Sequence, residues 1–229
     1  MNFISHFYLD RNLEDSFFFV GVSTPDLVSV FDRNVRLKEG RMPLLMENEA
    51  TVEEISFYNG VIRHFEVDKV FHTSDFFYRE TDKIKDLLHD TFGTDQVYRG
   101  FFVAHVLFEL ILDKILISHD SNLLPSFYEH LERYPIKEYV RLTEWVTHTP
   151  MPAYDAFLKR FIKKKYLYDY ADWEHILYII RKIVQGVGIN QFEYLHSPGL
   201  ISILDAYEKE LAIYCFDEFS LLNEQLIKV

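Results

Sequence analysis

Apolar residues recur at helical spacing along almost the whole chain, and few residues interrupt that pattern. The 229 residues include only 8 Gly and 7 Pro, fewer than a chain of many short strands and turns needs. Pro25 is typical of a helix entry, and no segment alternates apolar and polar residues over a strand's length. The pattern predicts an all-α protein with helices near 14–22, 26–32, 51–76, 79–91, 97–118, 123–133, 136–148, 153–167, 172–186 and 199–226.

Length and charge narrow the class of protein further. Hydrophobic residues make up 48% of the chain, with 21 Phe and 15 Tyr, which is enough for one sizeable core and predicts a single domain over 1–229. The net charge of −12 disfavours nucleic acid and anionic membrane surfaces as partners, because their phosphates would be repelled. The one cysteine, Cys215, excludes an internal disulfide and a Cys-rich zinc site, and it fits a reducing compartment.

Two segments bear on localisation. The N-terminal residues lack a basic region before their apolar run and do not resemble a signal peptide. The apolar run at 101–117 approaches transmembrane length, but its ionisable residues would be costly at the centre of a bilayer. We therefore expect a buried helix at 101–117 and a cytoplasmic protein.

Two predicted helices carry ionisable residues in a line, four positions apart, which we call ladders. Within GVIRHFEVDKVFHTS and FFVAHVLFELILDKILI, the ladders are His64, Asp68 and His72, and His105, Glu109 and Asp113. Residues four apart are neighbours on a helix, and each such step turns by about 40°, so one ladder covers an arc of about 80°. Because the rest of the second segment is apolar apart from Lys114, which lies outside the arc, its ladder must face polar groups or a metal ion.

The ladders have two interpretations. A structural network could pair His with Asp or Glu across a helix interface, which would avoid the several kcal/mol that a buried unpaired carboxylate costs. Alternatively, imidazole and carboxylate groups could hold a divalent metal, with Zn, Mn, Fe or Ni favoured over Ca²⁺. In that case we expect the two ladders to face one cavity, with the nitrogens of His64, His72 and His105 within about 7 Å of one another and ligand distances near 2.1 Å.

Four stretches together resemble the acyl-carrier-protein phosphodiesterase family. They are MNFISHFYL at the start, PDL around Asp26, GVIRHFEVDKVFHTS and FVAHVLFELIL, whose order and spacing match the family's MNFLAHLYL, GDF, GIxxHRxIDxFTD and DH motifs. The resemblance covers the first half of the chain. It implies an HD-domain-like helical fold and hydrolysis, with a divalent cation such as Mn²⁺, of the phosphodiester that joins 4′-phosphopantetheine to a carrier-protein serine.

The resemblance assigns functional residues one by one. His6 matches the family's N-terminal His, Asp26 its Gly-Asp-Phe aspartate, His64 and Asp68 its H-x-x-x-D, and His105 the His of its Asp-His pair. Taken with the ladders, this predicts a set of metal ligands that comprises His6, Asp26, His64, His72 and His105. We expect Asp68 and Glu109 to act in catalysis, by completing the ligand set or by orienting the attacking water.

The chain also departs from the family's pattern. Ala104 stands where the family has the Asp of its Asp-His pair, and His72 stands where it has an aspartate. Phe65 and Glu66 replace its basic residues. Glu109, one turn after His105, is the residue that could supply the missing carboxylate.

A basic run, LKRFIKKKY at 158–166, stands out in this acidic chain. Its cations are Lys159, Arg160, Lys163, Lys164 and Lys165. One interpretation is an ordinary solvated helix face. The other is a docking surface for an acidic partner such as an acyl carrier protein.

Other catalytic motifs are missing from the sequence. It contains no phosphate-cradling glycine loop and no G-x-S-x-G nucleophile motif. We therefore expect an all-α, single-domain, HD-domain-like bundle of about eight to ten helices that acts as a metal-dependent phosphodiesterase. The alternatives are a divergent, inactive relative that binds a metal, ligand or partner, and a structural helical domain whose ladders are polar core networks.

Overall fold

The computed structural model describes residues 1–43, 50–189 and 192–227, and it is helical throughout, as the sequence predicts. No strand occurs among these residues. The α-helices are α1 Phe3–Asp10, α2 Ser16–Phe31, α3 Val52–His72, α4 Asp75–Phe92, α5 Gly100–His119, α6 Leu123–Arg133, α7 Ile136–Thr147, α8 Tyr154–Lys164, α9 Trp173–Gly186, α10 Pro198–Leu211 and α11 Cys215–Leu226. Short 3-10 helices occupy Glu39–Arg41, Tyr166–Ala171 and Glu193–His196.

The helix boundaries differ from the prediction in three places. One continuous helix, α2, replaces the predicted helices at 14–22 and 26–32 and passes through Pro25, so Pro25 is not a helix entry. The residues around Pro25 are buried, and this packing outweighs the hydrogen bond that proline cannot donate. The predicted helix at 51–76 ends at His72, since Ser74 caps α4 by accepting a 3.1 Å hydrogen bond from the Phe77 amide. The predicted helix at 199–226 is divided into α10 and α11.

Helix α1 was not predicted at all. It has only eight residues, and a helix this short is marginal without tertiary contacts. Those contacts come from its buried aromatic side, where the ring of Phe7 lies 4.7 Å from that of Phe19 and 5.6 Å from that of Phe127. The helix therefore depends on α2 and α6, which sequence periodicity within α1 does not reveal.

The chain divides into two compact units, each made of two separate stretches. The first unit comprises 1–69 and 120–167, and the second comprises 70–119 and 168–229. The expectation of a single domain over 1–229 stays a prediction.

Within the first unit, helices α2 and α3 cross with their backbones in contact. A Cβ atom added to Gly21 would lie 2.1 Å from the carbonyl oxygen of Phe57, and one added to Gly60 would lie 2.0 Å from that of Phe18. Only glycine fits at either position. Glycine inside a helix costs about 1 kcal/mol relative to alanine, and the close crossing accounts for glycine at both positions. One turn after Gly60, the crossing places His64 against α2.

Within the second unit, aromatic side chains hold α4 against α5. The ring of Phe108 lies 5.2 Å from that of Phe76 and 5.8 Å from that of Phe71, the last-but-one residue of α3. All three side chains are buried. This cluster fixes the end of α3 beside the start of α5 and so brings His72 and His105 together.

In the described part of the chain, no helix combines the length and apolar character that a membrane crossing requires. The apolar run at 101–117 lies in α5, where most residues are buried.

Candidate metal-binding sites

The predicted ligands fall into two groups, each within one unit. His6, Asp26 and His64 form the first, and His72, His105 and Glu109 form the second. In each group, one nitrogen or oxygen atom per residue lies within 4.8 Å of the other two, so each group could hold a metal ion. We call them the His6 site and the Glu109 site.

In the His6 site, three helices of the first unit each supply one residue. His6 comes from α1, Asp26 from α2 and His64 from α3, and both histidines are buried. The two imidazole rings stack with centroids 4.0 Å apart and an angle of 18° between their planes. Nδ1 of His64 lies 3.0 Å from the carbonyl oxygen of Val22, to which it can only donate. In the neutral ring this leaves the Nε2 lone pair of His64 free to bind a cation.

Asp68 lies against both histidines of the His6 site. Its carboxylate oxygens are 3.2 Å from Nε2 of His6 and 3.6 Å from Nε2 of His64, and the ammonium group of Met1 is 2.7 Å from Oδ1. Burial works to raise the pKa of Asp68, but the Met1 ammonium and His6 outweigh it and hold the pKa well below its ordinary value. Asp68 is therefore ionised.

The pKa of His64 moves in the direction that suits a metal ligand. Burial first, and then the neighbouring His6, lower this pKa well below its ordinary value, although Asp68 opposes them. His64 is therefore a neutral imidazole at pH 7. Neutral imidazole is the form in which histidine binds metals.

The Glu109 site is a triangle of three atoms in mutual contact. Nε2 of His72 lies 3.0 Å from Oε1 of Glu109, and Nε2 of His105 lies 2.9 Å from the same oxygen. The two Nε2 atoms are 3.2 Å apart. His105 and Glu109 are neighbours on α5, whereas His72 is the last residue of α3.

The three contacts of this triangle cannot all be hydrogen bonds at the same time. If both Nε2 atoms carry protons, each can donate to Glu109, but the two N–H groups then face each other across 3.2 Å. If one Nε2 is unprotonated, its lone pair faces the carboxylate oxygen instead. A cation in contact with all three atoms would remove the conflict, because each atom would then direct a lone pair toward it.

The dimensions of the triangle indicate a coordination geometry. Two ligand atoms about 2.1 Å from an ion lie about 3.0 Å apart at octahedral angles and about 3.4 Å apart at tetrahedral angles. Two of the observed edges, 2.9 and 3.0 Å, agree with the octahedral value, and the third, 3.2 Å, lies midway between the two values. The triangle thus has the dimensions of one face of an octahedron, the arrangement of two His and one carboxylate that leaves positions for other ligands.

The surroundings of the Glu109 site combine an aromatic wall with an opening. The ring of Phe77 meets both imidazoles edge-on, with centroids 4.9 Å from His72 and 4.8 Å from His105. The side chains of His72, His105 and Glu109 remain 30%, 29% and 16% exposed. Burial works to raise the pKa of Glu109, but neighbouring positive charge, followed by hydrogen bonds from His105 and His72, holds this pKa well below its ordinary value.

The sequence predicts that both ladders converge on one cation, but the structure divides their histidines between two groups. His64 belongs to the His6 site, whereas His72 and His105 belong to the Glu109 site. Residues eight positions apart on one helix are separated by about 12 Å along its axis, too far for His64 and His72 to share an ion at normal ligand distances. The ladder spacing aligned the residues on one face but did not bring its two ends together.

Other expectations from the sequence have mixed outcomes. Glu109 lies with His105 in the Glu109 site, and Ala104 is fully buried; that Glu109 replaces a missing aspartate stays a prediction. Asp113, the last rung of the second ladder, is also fully buried and is not a member of the Glu109 site. Phe77 and the Val22 carbonyl were not predicted, because an aromatic side chain on α4 and a backbone oxygen leave no recognisable ligand signal in the sequence.

An ion pair beside the His6 site also went unpredicted. Arg63, the residue before His64, donates two hydrogen bonds to the Asp10 carboxylate, at 2.9 and 3.0 Å. Both side chains are largely buried, so the pair ties α3 to the end of α1. Bidentate pairs of this kind fix geometry as well as charge.

The basic run lies on α8 and just beyond it. Lys159, Arg160, Lys163 and Lys164 are exposed and Lys165 is half-buried. Lys159 pairs with Asp155 at 2.9 Å and Lys165 with Glu132 at 3.2 Å. The exposure is compatible with both interpretations, a solvated face and a docking surface.

Comparisons of the chain with models of known protein families, with curated proteins and with solved structures find no match. The geometry of the two sites and the motif resemblance are therefore the basis for a functional proposal.

Proposed function

We propose that this protein is a metal-dependent phosphohydrolase that uses the Glu109 site as its metal centre. The observation that carries the proposal is the mutual approach of Nε2 of His72, Nε2 of His105 and Oε1 of Glu109 to within 3.2 Å. Three such atoms in contact are explained by a common cation better than by hydrogen bonds alone.

The residues present fit a divalent cation of the first transition row. Two imidazoles and one carboxylate suit Mn, Fe, Ni or Zn, and Ca²⁺ would require more oxygen ligands. The near-octahedral dimensions favour Mn, Fe or Ni over Zn, which proteins mostly bind with four ligands. When bound, such an ion would supply Lewis-acid activation of a water and of a phosphodiester oxygen.

The chain's own residues would have distinct roles in this reaction. Glu109 supplies the negative charge that the family's Asp-His pair would otherwise provide from position 104. Phe77 restricts both imidazole rings and covers one side of the site. The partial exposure of His72 and His105 gives a substrate access from the other side. Asp68 contacts both histidines of the His6 site in the first unit, and its catalytic role stays a prediction from the sequence.

The finer proposal concerns the substrate. The motif resemblance favours a phosphodiester, and within that class the bond between 4′-phosphopantetheine and a carrier-protein serine. Carrier-protein recognition would use the α8 cations, whose charge is opposite to that of an acidic partner. We propose that the protein is a cytoplasmic hydrolase whose single domain has the HD-domain-like fold.

A second candidate is a divergent relative that binds a metal or a partner without catalysis. Three substitutions favour it: Ala104 lacks the family's aspartate, and Phe65 and Glu66 stand where the family has basic residues. Loss of those cations would weaken the binding of a phosphate substrate while leaving a metal site intact. Metal binding without turnover distinguishes this candidate from the first.

The experiment compares metal content and phosphodiesterase activity in the wild type and two variants. Protein purified without chelator or a nickel column is loaded with Mn²⁺, Fe²⁺, Ni²⁺ or Zn²⁺ and assayed on bis(p-nitrophenyl) phosphate. Glu109→Gln keeps the shape but removes the charge, so metal content and activity should both fall at least tenfold. Glu129→Gln, an exposed carboxylate on α6, is the matched control and should change neither.

Two results would contradict the proposal in different ways. A wild-type protein that takes up none of the four metals would remove the metal centre. A protein that binds metal through Glu109 but hydrolyses no phosphodiester, including a carrier-protein substrate, would instead favour the binding-protein candidate.

A further inference from the structure

A small cavity in the first unit is lined by residues that belong to neither metal-binding site nor the basic run. It has a volume of about 270 Å³ and lies between the segment after α2 and the end of α7. Its lining comprises Asn34, Val35, Arg36, Leu37, Lys38, Arg41, Val146, Thr147, His148 and Thr149. We call it the Arg36 pocket.

The charge of the Arg36 pocket is opposite to that of the chain. Three of its ten lining residues are cations, Arg36, Lys38 and Arg41, with His148 beside them, and none is a carboxylate. The whole chain has 36 acidic and only 24 basic residues, so an average lining of this size would hold more acids than bases. The pocket therefore concentrates positive charge in a protein whose net charge is −12.

The positive charge is not neutralised by the described part of the chain. Arg36, Lys38 and Arg41 form no ion pair with any described residue, and Glu39, between them in sequence, does not line the pocket. Asp32, in the preceding turn, accepts hydrogen bonds from the backbone and side chain of Asn34 instead. Neighbouring like charges repel, so a bound anion would stabilise this arrangement.

The size and donors of the pocket indicate which anion would fit. Sites for drug-sized ligands usually begin near 300 Å³, so a volume of about 270 Å³ suits a smaller molecule. The hydroxyl protons of Thr147 and Thr149 are already donated to backbone carbonyls, which leaves the guanidinium and ammonium groups as the main donors. Guanidinium groups bind phosphate oxygens in pairs, and three cations match a dianion better than a monoanion.

We propose that the Arg36 pocket binds the phosphoryl group of a small molecule, either inorganic phosphate or a small phosphomonoester. The proposal goes beyond the metal centre and does not depend on it. None of the pocket's lining residues belongs to either metal-binding group, and recognition here requires cations of the protein and no bound metal.

Calorimetric titration of chelator-treated protein tests the proposal, because phosphate cannot then bind through a metal ion. Inorganic phosphate and glycerol 3-phosphate are added at constant ionic strength, with chloride as the control anion. We expect saturable binding of one phosphoryl ligand per chain, with an affinity at least tenfold higher than the affinity for chloride. The tighter of the two probes identifies whether the free anion or the monoester is preferred.

Two double variants locate the binding. Arg36→Gln with Arg41→Gln removes two cations of the pocket and should weaken binding by roughly ten- to a hundred-fold or more, since hydrogen bonds between charged groups are lost. Lys182→Gln with Lys209→Gln removes two exposed cations of α9 and α10 and should leave binding unchanged. Equal weakening by both double variants, or by neither, would overturn the proposal.

An NMR titration of the wild type gives a second result that needs no variant. The imidazole signals of His148, which lines the pocket, should shift saturably with phosphate, whereas those of His175, an exposed residue of α9, should not. Absence of a saturable His148 shift would also overturn the proposal.

Discussion

Gly60→Ala should destabilise the first unit, because the added methyl group meets backbone atoms that cannot rotate away. The new Cβ would lie 2.0 Å from the carbonyl oxygen of Phe18 and 2.9 Å from both the Phe18 carbonyl carbon and the Val22 nitrogen. Ordinary contact begins at 3.4 Å, so α2 and α3 would have to move apart by more than 1 Å at their crossing.

The size of the effect follows from two opposing contributions. Overpacking of a core usually costs about 1–3 kcal/mol, and the upper part of that range applies here because backbone atoms are displaced. The better helix propensity of alanine offsets about 1 kcal/mol. We therefore expect the free energy of unfolding to fall by about 2 kcal/mol. Separation of the helices should also lengthen the contact between His64 and the Val22 carbonyl.

Urea unfolding followed by circular dichroism measures this difference, with Gly199→Ala as the matched control. At Gly199, near the start of α10, an added Cβ would meet only Oγ of Ser197, at 3.9 Å. The control should be as stable as the wild type or slightly more stable. If Gly60→Ala unfolds within about 0.5 kcal/mol of the wild type, the proposed backbone crossing is wrong.

Three further predictions concern other groups. Burial, followed by the charge of Arg133, lowers the pKa of His130, so the unfolded chain binds a proton at His130 more readily than the folded protein does. The free energy of unfolding should therefore fall as the pH drops below about 6.5. In urea titrations between pH 5 and 7, a His130→Gln variant should lose this pH dependence, which corresponds to the uptake of about one proton at most on unfolding. Burial raises the pKa of the Cys215 thiol to about 12, so Ellman's reagent should react with it only when the protein unfolds, and rapid reaction of the native protein would contradict its burial. If α8 docks an acidic carrier protein, Lys163→Glu with Lys164→Glu should slow association and weaken its salt dependence, whereas unchanged kinetics would exclude that surface.

Much of the fold could be predicted from the sequence, because hydrophobic periodicity reports directly on helices. Helices α4 to α9 lie close to their predicted positions. The errors occur where tertiary contacts outweigh local signals. Pro25 would end an isolated helix, but buried neighbours on both sides keep α2 continuous, and α1 is too short to be stable without the rings of α2 and α6.

The site was predicted less completely for the same reason. All three residues of the Glu109 site were among the predicted functional residues, and Glu109 contacts His105 because the two lie four positions apart on one helix. Which ladder members would meet was not predictable, since it depends on how the helices cross. The Gly21–Gly60 crossing directs His64 toward Val22 in the first unit, and the Phe71–Phe108 contact places the end of α3 beside His105 in the second.

The position of a bound metal ion would show directly whether the Glu109 site is a metal centre. Crystals of the protein soaked in Mn²⁺ would be measured for anomalous scattering. We expect a peak about 2.0–2.3 Å from each of Nε2 of His72, Nε2 of His105 and Oε1 of Glu109, with near-octahedral angles. Crystals that bind Mn²⁺ elsewhere, or that leave these three atoms in contact with no peak between them, would contradict the assignment of the Glu109 site as a metal centre.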